Sequence, residues 1–199
     1  VVWMLRLEGP LSYGVMLCGC VPGAMASNVL TMTARGNVSY SVSLTSVATL
    51  LSPVTVPTAL VIVAGLETGA EVFRPGKMAL TLLLTVVLPV VVGYLIKRQF
   101  ESVRRYVVAA APHIATVALL WIIASVVAGN RDRLSQVAAS LVVGLLAMNL
   151  LGYLGGYMAG RATRMPDAMR RALTLEVGMQ NAGLGTVLAA TLLGSDSLA

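Results

Sequence analysis

The stretch Ala172-Leu173-Thr174-Leu175-Glu176-Val177-Gly178-Met179-Gln180-Asn181-Ala182-Gly183-Leu184 sets one carboxylate and two amides into a run, 172–195, that holds no other charged side chain. A run of this length and apolarity reads as a membrane-crossing helix, for which about 20 mostly apolar residues suffice. Five more runs, 9–34, 36–66, 78–96, 106–130 and 134–160, contain no Asp, Glu, Lys or Arg. Hydrophobic residues make up 57% of the 199 positions and charged residues 11%. Soluble domains carry about 25% charge, so this composition cannot build a water-facing surface. In hydrocarbon every backbone amide needs an internal partner, which leaves helices or closed barrels. The runs are continuously apolar and lack the period-two alternation of barrel strands. The expectation is an all-α, polytopic helical membrane protein. Its spans are predicted at 10–34, 39–64, 78–96, 106–129, 134–160 and 167–195, as one transmembrane domain that is a fragment of a longer protein.

The formal net charge of +6 raises the question of nucleic acid. Its placement answers it. Six crossings put Arg35, Lys97, Arg98, Arg104, Arg105, Arg161, Arg164, Arg170 and Arg171 on one side and Arg6, Arg74, Lys77, Arg131 and Arg133 on the other. Such asymmetry orients a membrane protein with the richer side in the cytoplasm. The partner expected from these charges is the lipid bilayer, not a nucleic acid, in the plasma (bacterial inner) membrane. Cys18 and Cys20 lie inside an apolar run and imply no disulfide.

Two spans resist a plain helix. In the first, Cys20-Val21-Pro22-Gly23-Ala24-Met25-Ala26-Ser27-Asn28 places Pro-Gly and then two polar residues in apolar sequence. Proline removes a donor and clashes with the preceding turn. Counting 1.5 Å per residue from Pro10, Pro22 lies about 18 Å along the span; counting from Pro166, Glu176 lies about 15 Å along the last. Both interruptions therefore fall near the middle of a core about 30 Å thick. The fifth span carries Gly152, Gly156 and Gly160 at four-residue spacing, a face that lets helix backbones approach closely. Packing within the subunit is the expected use.

An intramembrane acid is costly and marks function by default. The spans offer Glu176 no cationic side chain, so a bound cation or a proton must neutralise it. Broken helices free carbonyls and amides at that depth, where transporters hold ions and anions. Hard cations take oxygen ligands. The oxygens on offer are the Glu176 carboxylate, the amides of Gln180, Asn181 and Asn28, and the Ser27 hydroxyl. The second span adds Ser41, Thr45, Thr49 and Ser52 on one face. Membrane hydroxyls commonly bond their own helix; Ser41 and Thr45 stand out as ligands because of their neighbours. An enzyme is not expected, since H-E-x-x-H, G-x-S-x-G and a second acid beside Glu176 are all missing. Proton-coupled or passive carriage is the alternative to sodium coupling.

These interruptions resemble the signature regions of the bile acid:sodium symporter family. Residues 19–29 look like its fourth helix, Ala34-Arg35-Gly36-Asn37-Val38 through Ser41, Thr45, Leu51 and Pro53 like the entry to its fifth, and residues 172–184 like its ninth. The resemblance covers essentially the whole chain, as helices four to nine of ten. It implies a ten-helix fold of two inverted repeats whose fourth and ninth helices are broken and cross. It implies no cofactor, and sodium as coupling ion at two sites. Ser27, Asn28, Ser41, Thr45 and Glu176 match one site; Glu176, the backbone at Val177 and Met179, and Gln180 match the other. It places Asn181, with Asn28, at the site of an organic-anion substrate, a bile acid-like compound or small carboxylate. Where the family often has Gly-Thr, this chain has Ala24-Met25, which removes a hydroxyl from that site.

Overall fold

The computed structural model describes residues 10–64, 75–99 and 139–197, with scattered positions between 110 and 131. The predicted span 106–129 is thus described only in part. The loops carrying Arg74, Arg104, Arg105 and Arg133, and the stretch with Arg6, lie outside the described residues. The described elements are helices. They are α1 (Pro10–Cys20), α2 (Ala26–Thr33), α3 (Val38–Ala64), α4 (Pro75–Leu82), α5 (Leu88–Gln99), α6 (Ala139–Ala162), α7 (Asp167–Gly178) and α8 (Ala182–Ser197). A π-helical turn, Leu83–Val87, joins α4 to α5. It precedes Pro89, whose ring and missing N–H disturb the turn before it.

Among the described residues three helices are long and apolar enough to cross a membrane, Val38–Val63, Pro75–Ile96 and Leu141–Ala162, with mean hydropathy 1.9, 2.5 and 1.6. The first and last predicted spans are each two half-helices, α1 with α2 and α7 with α8. The all-α polytopic expectation holds. Polarity is arranged inside out: Ser27, Thr31, Ser41 and Ser52 have no exposed surface, while Trp121, Ile62 and Leu150 are 75%, 74% and 65% exposed. Such faces suit lipid or further helices, and the hydroxyls face the bundle.

In lipid, helices associate by close packing rather than by escape from water. One packed centre joins Leu17 of α1, Val21 just after it, Val56 and Leu60 of α3, Met78 and Leu82 of α4, and Leu188 of α8. The other is glycine-built. A Cβ on Gly152 would come within 2.8 Å of the Val177 carbonyl oxygen, and one on Gly156 within 2.9 Å of the Leu173 carbonyl oxygen. The stripe is therefore an internal α6–α7 contact, as the sequence suggested. Pro53 deprives the Thr49 carbonyl of its helical donor, and the Ser52 hydroxyl supplies one at 2.7 Å. Ser52 is thereby assigned to the helix.

Two turns of the same form close the end where α2 meets α7. Arg35 and Arg164 both adopt φ 54. The Gly36 N–H donates to the Thr31 carbonyl at 2.8 Å, and the Met165 N–H to the Gly160 carbonyl at 2.9 Å. This is a helix C-terminus closed by a left-handed residue. The Asn37 N–H then donates to the Ala168 carbonyl at 2.8 Å, and Arg171 Nη1 to the Ala34 carbonyl at 3.1 Å. These ties lay α2 along α7, which sets Ser27 opposite Glu176.

Candidate functional site

Both breaks follow from local sequence. Pro22 cannot donate to the α1 ladder, so the helix ends at Cys20. Gly178 ends α7, and Met179 is extended at φ −109, ψ 110. A Cβ on Gly178 would run into the ring of Tyr153 on α6, so only glycine lets that ring lie against the break. The freed backbones then pair with each other. Gly23 and Gln180 form an antiparallel bridge. The Ala24 N–H donates to the Met179 carbonyl and the Asn181 N–H to the Pro22 carbonyl, both at 3.0 Å. Unwound backbone in a membrane is tolerated where protein satisfies it, and here each break satisfies the other.

Glu176, 7% exposed, sits beneath this crossing. Its Oε2 accepts the Ser27 hydroxyl at 2.5 Å and the Thr45 hydroxyl at 2.9 Å. Among the described residues its Oε1 is buried without a hydrogen-bond partner, and so is Oδ1 of Asn28, the residue after Ser27. Among the described residues the recorded ion pair is Arg170 with Asp167, at 2.6 Å, and none involves Glu176. Gly23 lies against the carboxylate so closely that a Cβ there would overlap it and come within 2.9 Å of the Glu176 carbonyl oxygen.

Of the residues expected at the site, the structure gathers Ser27 and Thr45 on the Glu176 carboxylate, and buries the Asn28 Oδ1 one residue on from Ser27. Ser41 is buried one turn below Thr45, and its hydroxyl pairs with Thr31 at 3.3 Å. The Met179 carbonyl already accepts Ala24, and the Val177 carbonyl packs against Gly152. Gln180 is half-buried at the bridge. Asn181 Oδ1 caps α8 by accepting the Leu184 N–H at 3.0 Å, which commits that oxygen and leaves the amide nitrogen as the side chain's donor. Met25, 68% exposed, immediately precedes α2 beside the break. Sequence reasoning missed Thr31, Gly23 as the seat of the carboxylate, and Tyr153. The spacing of Ser27 and Thr31, four apart, was a usable signal for the first. Nothing local announces the other two.

Two discontinuous membrane helices that cross at a buried acid are the architecture of secondary carriers. The chain belongs to the Sodium Bile acid symporter family, whose sequence model it matches over residues 1–137. It is 35% identical over 185 residues to the uncharacterized sodium-dependent transporter YocS of Bacillus subtilis (strain 168), covering 93% of this chain and 57% of that protein. It is 30% identical to the probable sodium/metabolite cotransporter BASS1, chloroplastic, of Arabidopsis thaliana, over 94% of this chain and 46% of the other. Against the human sodium/bile acid cotransporter 4 the identity is also 30%, over 92% and 43%. The chain thus spans about half the length of the curated relatives it matches. These relatives bear transporter names, in agreement with a non-enzymatic role.

Proposed function

We propose that the whole protein is a sodium-coupled symporter of an organic anion in the plasma membrane, and that sodium binds at Glu176. The observation that carries this is the pair of buried acceptor oxygens, Glu176 Oε1 and Asn28 Oδ1, with no donor to satisfy them among the described residues. Buried acceptors are ordinarily bonded, and leaving a carboxylate uncompensated is costlier still. A cation that takes oxygen ligands serves both. Ser27 and Thr45 already point at the carboxylate and can turn their lone pairs to the ion. Ser41, the backbone at Val177 and Met179, and Gln180 complete the proposed sodium ligands. The Asn181 amide nitrogen, with Asn28, faces the anion. In this reading the described helices are the fourth to ninth of a ten-helix inverted repeat.

Sodium binding cancels the charge that otherwise opposes burial of Glu176 and fixes the crossing of the breaks. A crossing so ordered presents the Asn181 amide and the α8 N-terminus to an anion, since helix N-termini favour negative charge. Coupling is then one free energy shared by two sites: sodium raises anion affinity and the anion raises sodium affinity equally. The test is uptake of carboxylates into proteoliposomes bearing the full-length protein. An inward sodium gradient should drive uptake. Equal uptake in potassium-only buffer would overturn the proposal, and uptake that follows pH while ignoring sodium would assign Glu176 to protons.

A further inference from the structure

We infer that Thr31 is a positioning residue of the cation site, holding the Ser41 hydroxyl so that its oxygen faces the ion. The inference rests on the sodium reading above and adds a residue to it. Helices α2 and α3 present two rungs of hydroxyls. The first rung is Ser27 and Thr45, both donating to Glu176 Oε2. One turn further along each helix, Thr31 and Ser41 form the second, with their oxygens 3.3 Å apart and no exposed surface on either residue.

A hydroxyl that ligates a cation offers a lone pair, so its proton must go elsewhere. Thr45 has such an outlet: its oxygen lies 3.0 Å from the Ser41 carbonyl as well as 2.9 Å from Glu176 Oε2. One proton serves two acceptors. With the ion present it moves to the carbonyl, and the lone pair is released. Ser41 has no comparable carbonyl among its recorded contacts. Its partner is the Thr31 hydroxyl, where either oxygen can be the donor. Ser41 can therefore turn its oxygen to the ion when Thr31 accepts its proton. The turn after α2 holds Thr31 in place. Gly36 donates to its carbonyl at 2.8 Å, and a Cβ at Gly36 would come within 2.7 Å of the Thr31 methyl. The absence of a side chain at Gly36 thus lets the turn close over the methyl and aim the hydroxyl at Ser41.

The experiment titrates sodium in proteoliposomes of the full-length protein. Residues that orient metal ligands typically change affinity by about 10–100-fold when removed. Thr31→Val, which keeps the shape, should raise the sodium half-saturation by roughly tenfold, the lower end of that range. Its maximal rate at saturating sodium should stay near that of the wild type. Thr31→Ser should restore the affinity. Ser41→Ala should also weaken sodium, and adding Thr31→Val to it should change nothing more, because Thr31 acts through Ser41. Thr31→Cys carries the same test should the valine variant fail to accumulate. An unshifted half-saturation, additive effects of the two substitutions, or a loss of rate and thermal stability at unchanged sodium affinity would each overturn the inference. A wild type that ignores sodium removes the proposed function and this inference together. A sodium-dependent wild type beside an unshifted Thr31→Val removes the inference alone.

Discussion

The two breaks do the same thing to the backbone by different means. The first, between Cys20 and Ala26, carries no charge; Pro22 ends the helix and Gly23 leaves room. The second, between Gly178 and Ala182, follows one turn after the acid and brings Gln180 and Asn181 with it. The first break thus supplies space and the second supplies chemistry. Each also depends on a glycine, but for different neighbours: Gly23 on the Glu176 carboxylate, Gly178 on the Tyr153 ring. A carboxylate can be buried here because another segment gives up its side chain to make the seat. The lesson is that a site of this kind is not owned by the helix that carries the charge.

The comparison breaks first at the charge itself. Glu176→Gln should lower sodium affinity by about 2–5 kcal/mol, the range for truncating one member of a buried charge pair, or roughly thirtyfold or more. Sodium-dependent thermal stabilisation should vanish with it; a variant still stabilised by sodium would place the ion elsewhere. Next is the seat. Gly23→Ala should destabilise by about 1–3 kcal/mol, as overpacking does, and should abolish the sodium response as well. Gly178→Ala should destabilise comparably, but Tyr153→Ala should rescue it, whereas no trimming of Tyr153 should rescue Gly23→Ala. Rescue of both, read by thermal unfolding, would erase the distinction between the breaks.

Smaller effects sharpen the division. Thr45→Val removes one hydrogen bond to a charged group, worth about 1.5–3 kcal/mol, and should raise the sodium half-saturation by about tenfold while leaving the fold intact. Asn181→Ala should lose about 1 kcal/mol of stability with the α8 cap. Asn181→Ser keeps a capping oxygen and should retain stability while raising the KM for the anion. If Asn181→Ser transports with an unchanged KM, the amide nitrogen does not meet the substrate.

Much of this was legible in the chain. Uncharged runs of membrane length, Pro22-Gly23 in one and Glu176 with Gln180-Asn181 in another, located the breaks without any coordinates, because proline and glycine act on their own turn and a charge in hydrocarbon is costly wherever its helix packs. The Gly152, Gly156 and Gly160 stripe was read correctly as packing for the same local reason. Ser41 and Ser52 show the limit. Both lie on the hydroxyl face of α3, yet one pairs with Thr31 and the other repairs the carbonyl that Pro53 orphaned. Spacing alone treats them alike.

What the sequence determined by itself is the class of the protein, the places where two of its helices break and the residue types able to cancel a buried charge. These follow from transfer out of water and from backbone sterics, which operate over a turn or two. Only the tertiary structure decided which oxygen of Glu176 is satisfied, that Asn28 Oδ1 is buried with no partner among the described residues, and that a glycine 153 positions away makes room for the acid. Those are contacts between segments distant in the chain, and their geometry is set by how α2, α3 and α7 pack rather than by any one of them.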